Sequence, residues 1–216
     1  MNDLGAPLTA EEAARATDTD TTENDSWTRE EIAAQWDEAK TGLEELSASY
    51  MAERGLDLAL IGPDEMRAAY HQSSKIAKKF PALLFAGTND DGVVERVQAI
   101  RFGTDWKRLF KIPKITNGRG AAPLRCSATS ESDDHLLICE GPEDALTLRQ
   151  VTGCEAWASF SLSNMGSMPA PRGRPVILSA DRGSEDQTRK AAEKLADYGV
   201  TVSVAPPPDG YKDVNE

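Results

Sequence analysis

Short apolar runs alternate with helix-forming segments after residue 134, and this alternation constrains the fold more than any other feature of the chain. Residues 142–153 and 184–199 have helical patterns, with Pro142 at the start of the first and Gly199 at the end of the second. The runs around them, LLIC, EAWASF, RPVILSA and VTVSVAP, are typical of strands. Strands that alternate with helices predict an α/β fold, a mostly parallel sheet with flanking helices, over residues 133–216.

Two acidic residues follow strands of this predicted sheet directly. Glu140 comes after LLIC and Asp181 comes after VILSA, and each lies in a turn that contains a glycine, Gly141 or Gly183. The ligand site of a parallel sheet lies beyond the carboxyl ends of its strands. Two carboxylates there repel each other unless a cation lies between them, and their oxygens suit Mg²⁺ or Mn²⁺. The alternative is that each acid only caps the helix that follows it.

The N-terminal segment, residues 1–27, is predicted to be an acidic disordered tail. Residues 1–48 contain 13 acids and three bases, which accounts for most of the net charge of −12. A segment this polar cannot bury enough apolar surface to fold by itself. Apolar residues then recur at helical spacing until Gly55, which predicts one long helix over residues 28–54.

A small α+β region, made of this helix and a β-rich segment, is predicted over residues 28–132. PALLFAGT and VVERVQAIRF are apolar or alternating runs, and NDDG between them is a hairpin signal. The two runs therefore predict a small antiparallel sheet. Residues 113–134 are rich in turn-forming residues, and we expect a loop that crosses to the next domain.

Basic residues are concentrated in the β-rich region. Residues 66–125 contain 12 bases and four acids, a balance that favours contact with nucleic-acid phosphates. Phe102, Trp106 and Phe110 lie among these bases and could stack on nucleotide bases. A solvated basic face, with the aromatic residues packed in the core, is the alternative. The candidate nucleic-acid contacts are Arg101, Lys107, Arg108, Lys111 and Lys114.

Composition argues against membrane proteins and zinc proteins. No apolar run approaches the roughly 18 residues that span a bilayer, and no signal peptide is visible, so we expect a cytoplasmic protein without a membrane partner. The three cysteines lack CxxC spacing, which predicts reduced thiols and no zinc site. His71 and His135 also lack ligand spacing, and we expect both at the surface.

Three segments of the C-terminal half carry a recognisable set of motifs: LLICEGPEDALTLRQ, VILSADRGSEDQTRKAAEKLADYG and PPPDGYKDVNE. Together they resemble the Toprim domain of plasmid- and phage-type DnaG primases, and the resemblance covers about residues 46–216. It implies that Glu140 and Asp181 are catalytic and bind metal, and that Asp213 is a further metal ligand. It also implies that Asp144 and Lys212 contact the nucleotide or its phosphates.

One position departs from the family pattern. A second aspartate is expected two residues after Asp181, and Gly183 occupies that place. Glu185 or Asp186 could supply the missing carboxylate, and Glu185 is our candidate ligand. A site with one metal ion and a domain without catalysis are the alternatives.

The resemblance implies metal-dependent nucleotidyl transfer on single-stranded DNA, with NTPs as substrates, in the replication of a phage, a plasmid or a similar mobile element. The primase zinc-binding domain is not expected within these residues, and a replicative helicase is a candidate partner. Two other functions stay open. One is a catalytically degenerate Toprim module that binds nucleic acid, a helicase or a polymerase. The other is an OLD-type nuclease, which shares the fold.

Overall fold

Two β-sheets and five α-helices make up the described part of the chain. The computed structural model describes residues 27–39, 43–72, 79–103, 114–118, 120–127, 135–170 and 173–215. The helices are α1 Arg29–Glu38, α2 Glu44–Glu53, α3 Pro142–Thr152, α4 Leu162–Met165 and α5 Glu185–Asp197, with a 3₁₀ turn at Leu58–Leu60. The strands are β1 Met66–Gln72, β2 Lys79–Thr88, β3 Val94–Arg101, β4 Ile115–Gly118, β5 Leu124–Cys126, β6 Leu136–Cys139, β7 Glu155–Ala158, β8 Val176–Ser179 and β9 Val202–Ala205.

The first sheet is antiparallel, in the order β1-β2-β3-β4, as the β-rich segment predicts. The hairpin turn expected at NDDG joins β2 and β3: the Asn89 N–H donates to the Val93 carbonyl at 3.0 Å, and Gly92 has a φ of +76°. A left-handed φ is easily adopted only by glycine, so the turn depends on that residue. The preceding strand, β1, was not predicted.

The predicted single helix over residues 28–54 is wrong, because α1 ends at Glu38 and α2 begins at Glu44. The two helices pack on opposite faces of the first sheet. Ile32 and Trp36 of α1 pack with Ala82 and Leu84, whereas α2 contributes to the core that contains Leu83. Successive residues of a strand face opposite sides, so one straight helix could not cover both faces of β2. The interruption lets both faces be buried.

The second sheet has the order β5-β7-β6-β8-β9, with β6, β7, β8 and β9 parallel, and β5 antiparallel at one edge. The predicted α/β class and parallel sheet are therefore confirmed. The loop predicted over residues 113–134 is wrong in part, because β4 extends the first sheet and β5 the second. These strands are three and four residues long, too short for a hydrophobic period to identify them.

One continuous apolar core joins the two sheets. Leu83, Phe85 and Ile100 of the first sheet pack in the same cluster as Leu137 and Ala156 of the second. On the other face of the second sheet, Ala191 and Leu195 of α5 pack over the strands. None of the helices among the described residues is long and apolar enough to cross a membrane.

Candidate active-site cleft

A polar cleft of about 380 Å³ lies where the first sheet meets the carboxyl ends of β6 and β8. We call it the acidic cleft. It falls within the usual size range of ligand pockets. Its lining residues are Arg54, Gln98, Lys114, Glu140, Gly141, Glu143, Asp144, Phe160, Asp181, Lys212, Asp213 and Asn215. Five of the six candidate residues predicted for the Toprim site are therefore together, namely Glu140, Asp144, Asp181, Lys212 and Asp213.

The start of α3 brings two of these carboxylates to the cleft. Glu140 follows the last residue of β6, Gly141 is the N-cap of α3, and Pro142 is its first residue. A Cβ atom on Gly141 would lie 2.8 Å from Oδ2 of Asp144, closer than such atoms pack. The glycine therefore allows the Asp144 carboxylate to approach the backbone at the strand end.

The turn after β8 presents Asp181 to the cleft. The Ser184 N–H and the Ser184 hydroxyl both donate to the Asp181 carbonyl oxygen, at 3.0 and 2.7 Å. Gly183, within this turn, has a φ of +92°, a left-handed conformation that side chains rarely adopt. The turn geometry therefore favours glycine at the position where the family pattern has its second aspartate.

Arg182 holds the C-terminal segment against this turn. Its backbone N–H donates to the Lys212 carbonyl at 2.7 Å, and its guanidinium donates to the carbonyls of Tyr211 and Pro208 at 2.9 and 3.2 Å. Further along, the Asn215 N–H donates to Oδ1 of Asp213 at 3.0 Å. These bonds keep Lys212 and Asp213 at the edge of the cleft.

The carboxylates of the cleft destabilise one another's charged forms. Burial, followed by the charges of Asp213 and Asp181, raises the pKa of Asp144 to about 8. Burial and the Asp213 charge also raise the pKa of Asp181. Burial and the Asp181 charge raise the pKa of Glu140. In each case burial is the largest cause, and the charge of a neighbouring carboxylate adds to it.

The donor set fits a divalent cation. Five carboxylates and three basic side chains line the cleft, so two negative charges are uncompensated when every group is ionised. A hard divalent cation would offset that charge, and carboxylate oxygens are its preferred ligands. Among the residues that the structure describes, no three His, Cys, Asp or Glu side chains converge closely enough to form a complete metal site by themselves.

An ion pair that the sequence did not reveal closes one side of the cleft. Lys114 Nζ donates to both carboxylate oxygens of Glu143 at 3.0 and 2.9 Å, and the Tyr50 hydroxyl donates to Oε1 at 2.6 Å. Burial alone would raise the pKa of Glu143, but the Lys114 charge and these hydrogen bonds lower it to about 2. Glu143 lies inside the EGPED motif, but only the tertiary structure identifies its partners. Lys114, predicted to contact nucleic acid, lies in the cleft.

Glu185 does not line the cleft, although it was our candidate for the missing ligand. Its side chain is fully exposed and accepts a hydrogen bond from the Gly183 N–H at 2.9 Å, which lowers the pKa of Glu185. Because the carboxylate bonds to the backbone of its own turn, Glu185 is not in position to replace an aspartate at residue 183.

Arg101 was predicted to contact nucleic acid, and this is wrong in the structure, where its side chain is 3% exposed. It donates to Nδ1 of His71 at 3.1 and 3.3 Å. His71, expected at the surface, is also buried, and burial together with the Arg101 charge lowers its pKa to about 3. Odd-numbered residues of β3 face α1 and not the cleft, so alternation along the strand explains the position of Arg101.

Of the aromatic candidates, Phe102 is buried and packs edge-on against Tyr50, with ring centroids 5.4 Å apart. It is therefore a core residue. The remaining basic and aromatic candidates, Lys107, Arg108, Lys111, Trp106 and Phe110, lie outside the described residues.

Comparison with known proteins agrees with this architecture. A family model described as the Toprim domain matches residues 135–216, whereas no curated protein matches the chain. The structure is similar to the RNA polymerase domain of the primase DnaG of Mycobacterium tuberculosis, at 13% identity over 94% of this chain and 78% of that one, with a TM-score of 0.52. It is also similar to the primase fragment of the bacteriophage T7 primase-helicase, at 14% identity over 91% and 74% of the chains, with a TM-score of 0.43.

Proposed function

Because residues 135–216 are a Toprim domain in a chain with the fold of a DnaG primase core, we propose that the protein is a primase-type nucleotidyltransferase. It would join nucleotides on a single-stranded DNA template during DNA replication, with Mg²⁺ or Mn²⁺: a sugar hydroxyl attacks the α-phosphorus of a nucleoside triphosphate, and pyrophosphate leaves. The observation that carries this proposal is the acidic cleft, where Glu140 and Asp181 follow the adjacent strands β6 and β8, Asp144 reaches them from the first turn of α3, and all three have raised pKa values.

The metal would be held by Asp181 and Asp213, with Glu140 and Asp144 close to it. The raised pKa values of Asp144 and Asp181 both have the Asp213 charge as the largest cause after burial, which supports Asp213 as the carboxylate that Gly183 cannot provide. A bound divalent cation would stabilise negative charge on the phosphate oxygens during transfer.

The basic side chains of the cleft suit a triphosphate. The charges of Lys114 and Lys212 offset part of the rise in the pKa values of Glu140 and Asp181, so these lysines act on the carboxylates of the cleft. A triphosphate that enters with its metal would bring negative charge, which these lysines would offset. Glu143 holds Lys114 in place, and we assign it a positioning role.

We further propose that Lys107, Arg108 and Lys111 contact the phosphates of the template. Such contacts are independent of sequence and weaken steeply as salt rises. Reversing all three charges to Glu should weaken binding of single-stranded DNA and reduce its salt dependence. Reversal of Arg189, Lys190 and Lys194 on the exposed face of α5 is the matched control. An equal loss in both triple variants would overturn this assignment.

A second function is favoured by one observation, the glycine at position 183. Without a carboxylate there, a Toprim module that only binds nucleic acid or a replication partner, such as a helicase or polymerase, is a coherent alternative. The two functions differ in catalysis: the transferase requires metal-dependent turnover, and a binding module does not.

The deciding experiment is a primer-synthesis assay with the full chain, single-stranded DNA and NTPs, in Mg²⁺, in Mn²⁺ and in EDTA. Metal-dependent extension that is lost in Glu140→Gln and Asp181→Asn, and kept in Asp186→Asn, would support the transferase. Asp186 is the matched control because it is an exposed acid on α5 that pairs with Arg189 and does not line the cleft. DNA binding without synthesis would favour the binding module. Metal-dependent cleavage of the DNA would instead identify a nuclease.

A further inference from the structure

Gln98 is a buried residue that lines the acidic cleft, and it lies outside the family motifs. It lies on β3 of the first sheet, is 4% exposed, and faces the side opposite to Arg101. It lines the same cleft as Glu140 and Asp181, which come from the second sheet. The first sheet therefore contributes a neutral polar group to a site whose other polar groups are mostly charged.

The side chain of Gln98 is held at one end only. Its Nε2 donates to Oγ1 of Thr116 at 3.1 Å, and Thr116 is its register partner on β4. Its Oε1 is buried and has no hydrogen-bond partner among the residues that the structure describes. Buried polar groups are nearly always paired in folded proteins, because an unmade hydrogen bond is costly. A buried acceptor in the wall of a cleft therefore indicates a ligand that brings a donor.

The chemistry of a nucleotide narrows the choice of that donor. An ionised triphosphate carries acceptors only, and the donors on the base edge differ among the four bases. The sugar hydroxyls are donors present in every ribonucleotide. The sugar hydroxyls are therefore the donors that an acceptor without base selectivity would meet.

We propose that Oε1 of Gln98 accepts a hydrogen bond from a sugar hydroxyl of the nucleotide in the acidic cleft, and that Gln98 thereby selects ribonucleotides against sugars that lack the hydroxyl. This inference depends on the proposed function, because it requires that the cleft binds nucleotides. Thr116 is the positioning residue that orients the amide. A site built to bond a hydroxyl rejects an analogue without it, since its buried acceptor is then left unpaired.

The test is direct binding of nucleotides to the full chain in Mg²⁺. Calorimetric titrations would use ATP, 2′-deoxyATP, 3′-deoxyATP and 2′,3′-dideoxyATP, so that the hydroxyl that matters is identified. We expect the wild type to bind ATP about tenfold more tightly than the dideoxy analogue, the size of one buried hydrogen bond. Gln98→Leu should bind ATP about tenfold more weakly and should distinguish the two by less than about twofold.

Two further variants separate this role from a structural one. Gln98→Glu keeps an acceptor, so it should bind every nucleotide more weakly but retain the preference for the hydroxyl. Gln187→Leu, on the exposed face of α5, is the matched control and should change nothing. Gln98→Leu loses the hydrogen bond from Nε2 to Thr116 but also removes an acceptor that has no partner among the described residues, so its melting temperature should stay close to that of the wild type.

Three outcomes would contradict the role proposed for Gln98. If Gln98→Leu folds and keeps the full preference for ATP over the dideoxy analogue, the proposal is wrong. If the wild type binds ATP and the dideoxy analogue equally, this inference fails while the proposed function stands. If the wild type binds no nucleotide, both fail together.

Discussion

Two polar clusters lie on opposite faces of the first sheet, and they differ in how their charges are compensated. The His71 cluster, formed by Gln35, His71, Arg101 and Asn117, is internally paired. Arg101 donates to Nδ1 of His71, the Gln35 amide contacts Nε2 of that ring, and Asn117 donates to Oε1 of Gln35. In the acidic cleft, by contrast, carboxylates raise one another's pKa values, and Oε1 of Gln98 has no partner among the described residues.

This difference separates a structural cluster from a ligand site. A buried polar network with its hydrogen bonds made helps to define one folded arrangement. A cluster of like charges is retained only if something compensates for it, and perturbed carboxyl groups in a cleft are the usual mark of a functional site. Arg101 belongs to the first kind of cluster, although its sequence context suggested the second.

The largest effect is expected when the His71 cluster is broken. His71→Leu would leave the buried Arg101 guanidinium without its acceptor, so we expect the free energy of unfolding to fall by about 3 kcal/mol. Urea denaturation measures this change. His135→Leu is the control, since His135 is exposed and its replacement should cost less than about 0.5 kcal/mol. Equal stability of His71→Leu and the wild type would remove the distinction between the two clusters.

In the acidic cleft, replacing a buried polar group should make the stability of the protein less dependent on pH instead of lowering it. Because the pKa of Asp144 is raised to about 8, the folded state binds a proton that the unfolded state releases near pH 4. The Asp144 contribution to stability should therefore fall as pH rises from about 4 to 8. Between pH 6 and 8 the metal-free wild type should lose about 2 kcal/mol that Asp144→Asn does not lose. Melting curves of both proteins in EDTA at pH 6 and pH 8 test this. The prediction is wrong if the wild type and Asp144→Asn lose the same stability between the two pH values.

A carboxylate at position 183 should sharpen the cleft as a metal site. Gly183→Asp should tighten Mg²⁺ binding by about tenfold, because it adds a hard oxygen ligand two residues after Asp181. A Cβ at Gly183 meets no atom within 4 Å, but the φ of +92° would strain the turn by about 1 kcal/mol or more. Gly183→Ala carries the same strain without the carboxylate and is the control.

Calorimetric titration with Mg²⁺ measures both variants, with melting curves to confirm folding. The gain should disappear when Gly183→Asp is combined with Asp181→Ala, because both carboxylates would share one cation. Tighter binding that survives the loss of Asp181 would place the cation elsewhere.

The smallest effect is expected at Arg182, which lies outside the cleft and holds the segment that carries Asp213. Arg182→Ala should weaken Mg²⁺ binding about threefold, because the carbonyls of Pro208 and Tyr211 lose their donor and the segment with Asp213 is less restrained. The side chain is exposed, so the melting temperature should change little. Arg182→Lys keeps the charge but loses the forked geometry, so its Mg²⁺ affinity should lie between those of the wild type and Arg182→Ala. Unchanged affinity in Arg182→Ala would show that the turn alone positions the segment.

The sequence by itself determined the class of the C-terminal fold and the place of its site. Strand and helix periods differ, so the alternation after residue 134 identifies a parallel sheet, and acids directly after two strands must lie at one edge of it. Glu140 and Asp181 were therefore predictable as partners in one cleft. The hairpin at residues 89–92 was predictable for a similar reason, because its turn chemistry is local.

Only the tertiary structure decided which face each remaining polar residue occupies. A count of basic residues cannot distinguish Arg101, which is buried on the α1 face of the first sheet, from Lys114, which lies in the cleft. Strand alternation tells which residues share a face, but only the packing of both sheets tells which face lines the cleft. The end of α1 at Glu38 depends on tertiary packing, because α1 and α2 cover opposite faces of β2. Glu143 and Gln98 gained their roles from partners 29 and 18 residues away in sequence, Lys114 and Thr116. Such contacts depend on the packing of the whole chain, which no local pattern encodes.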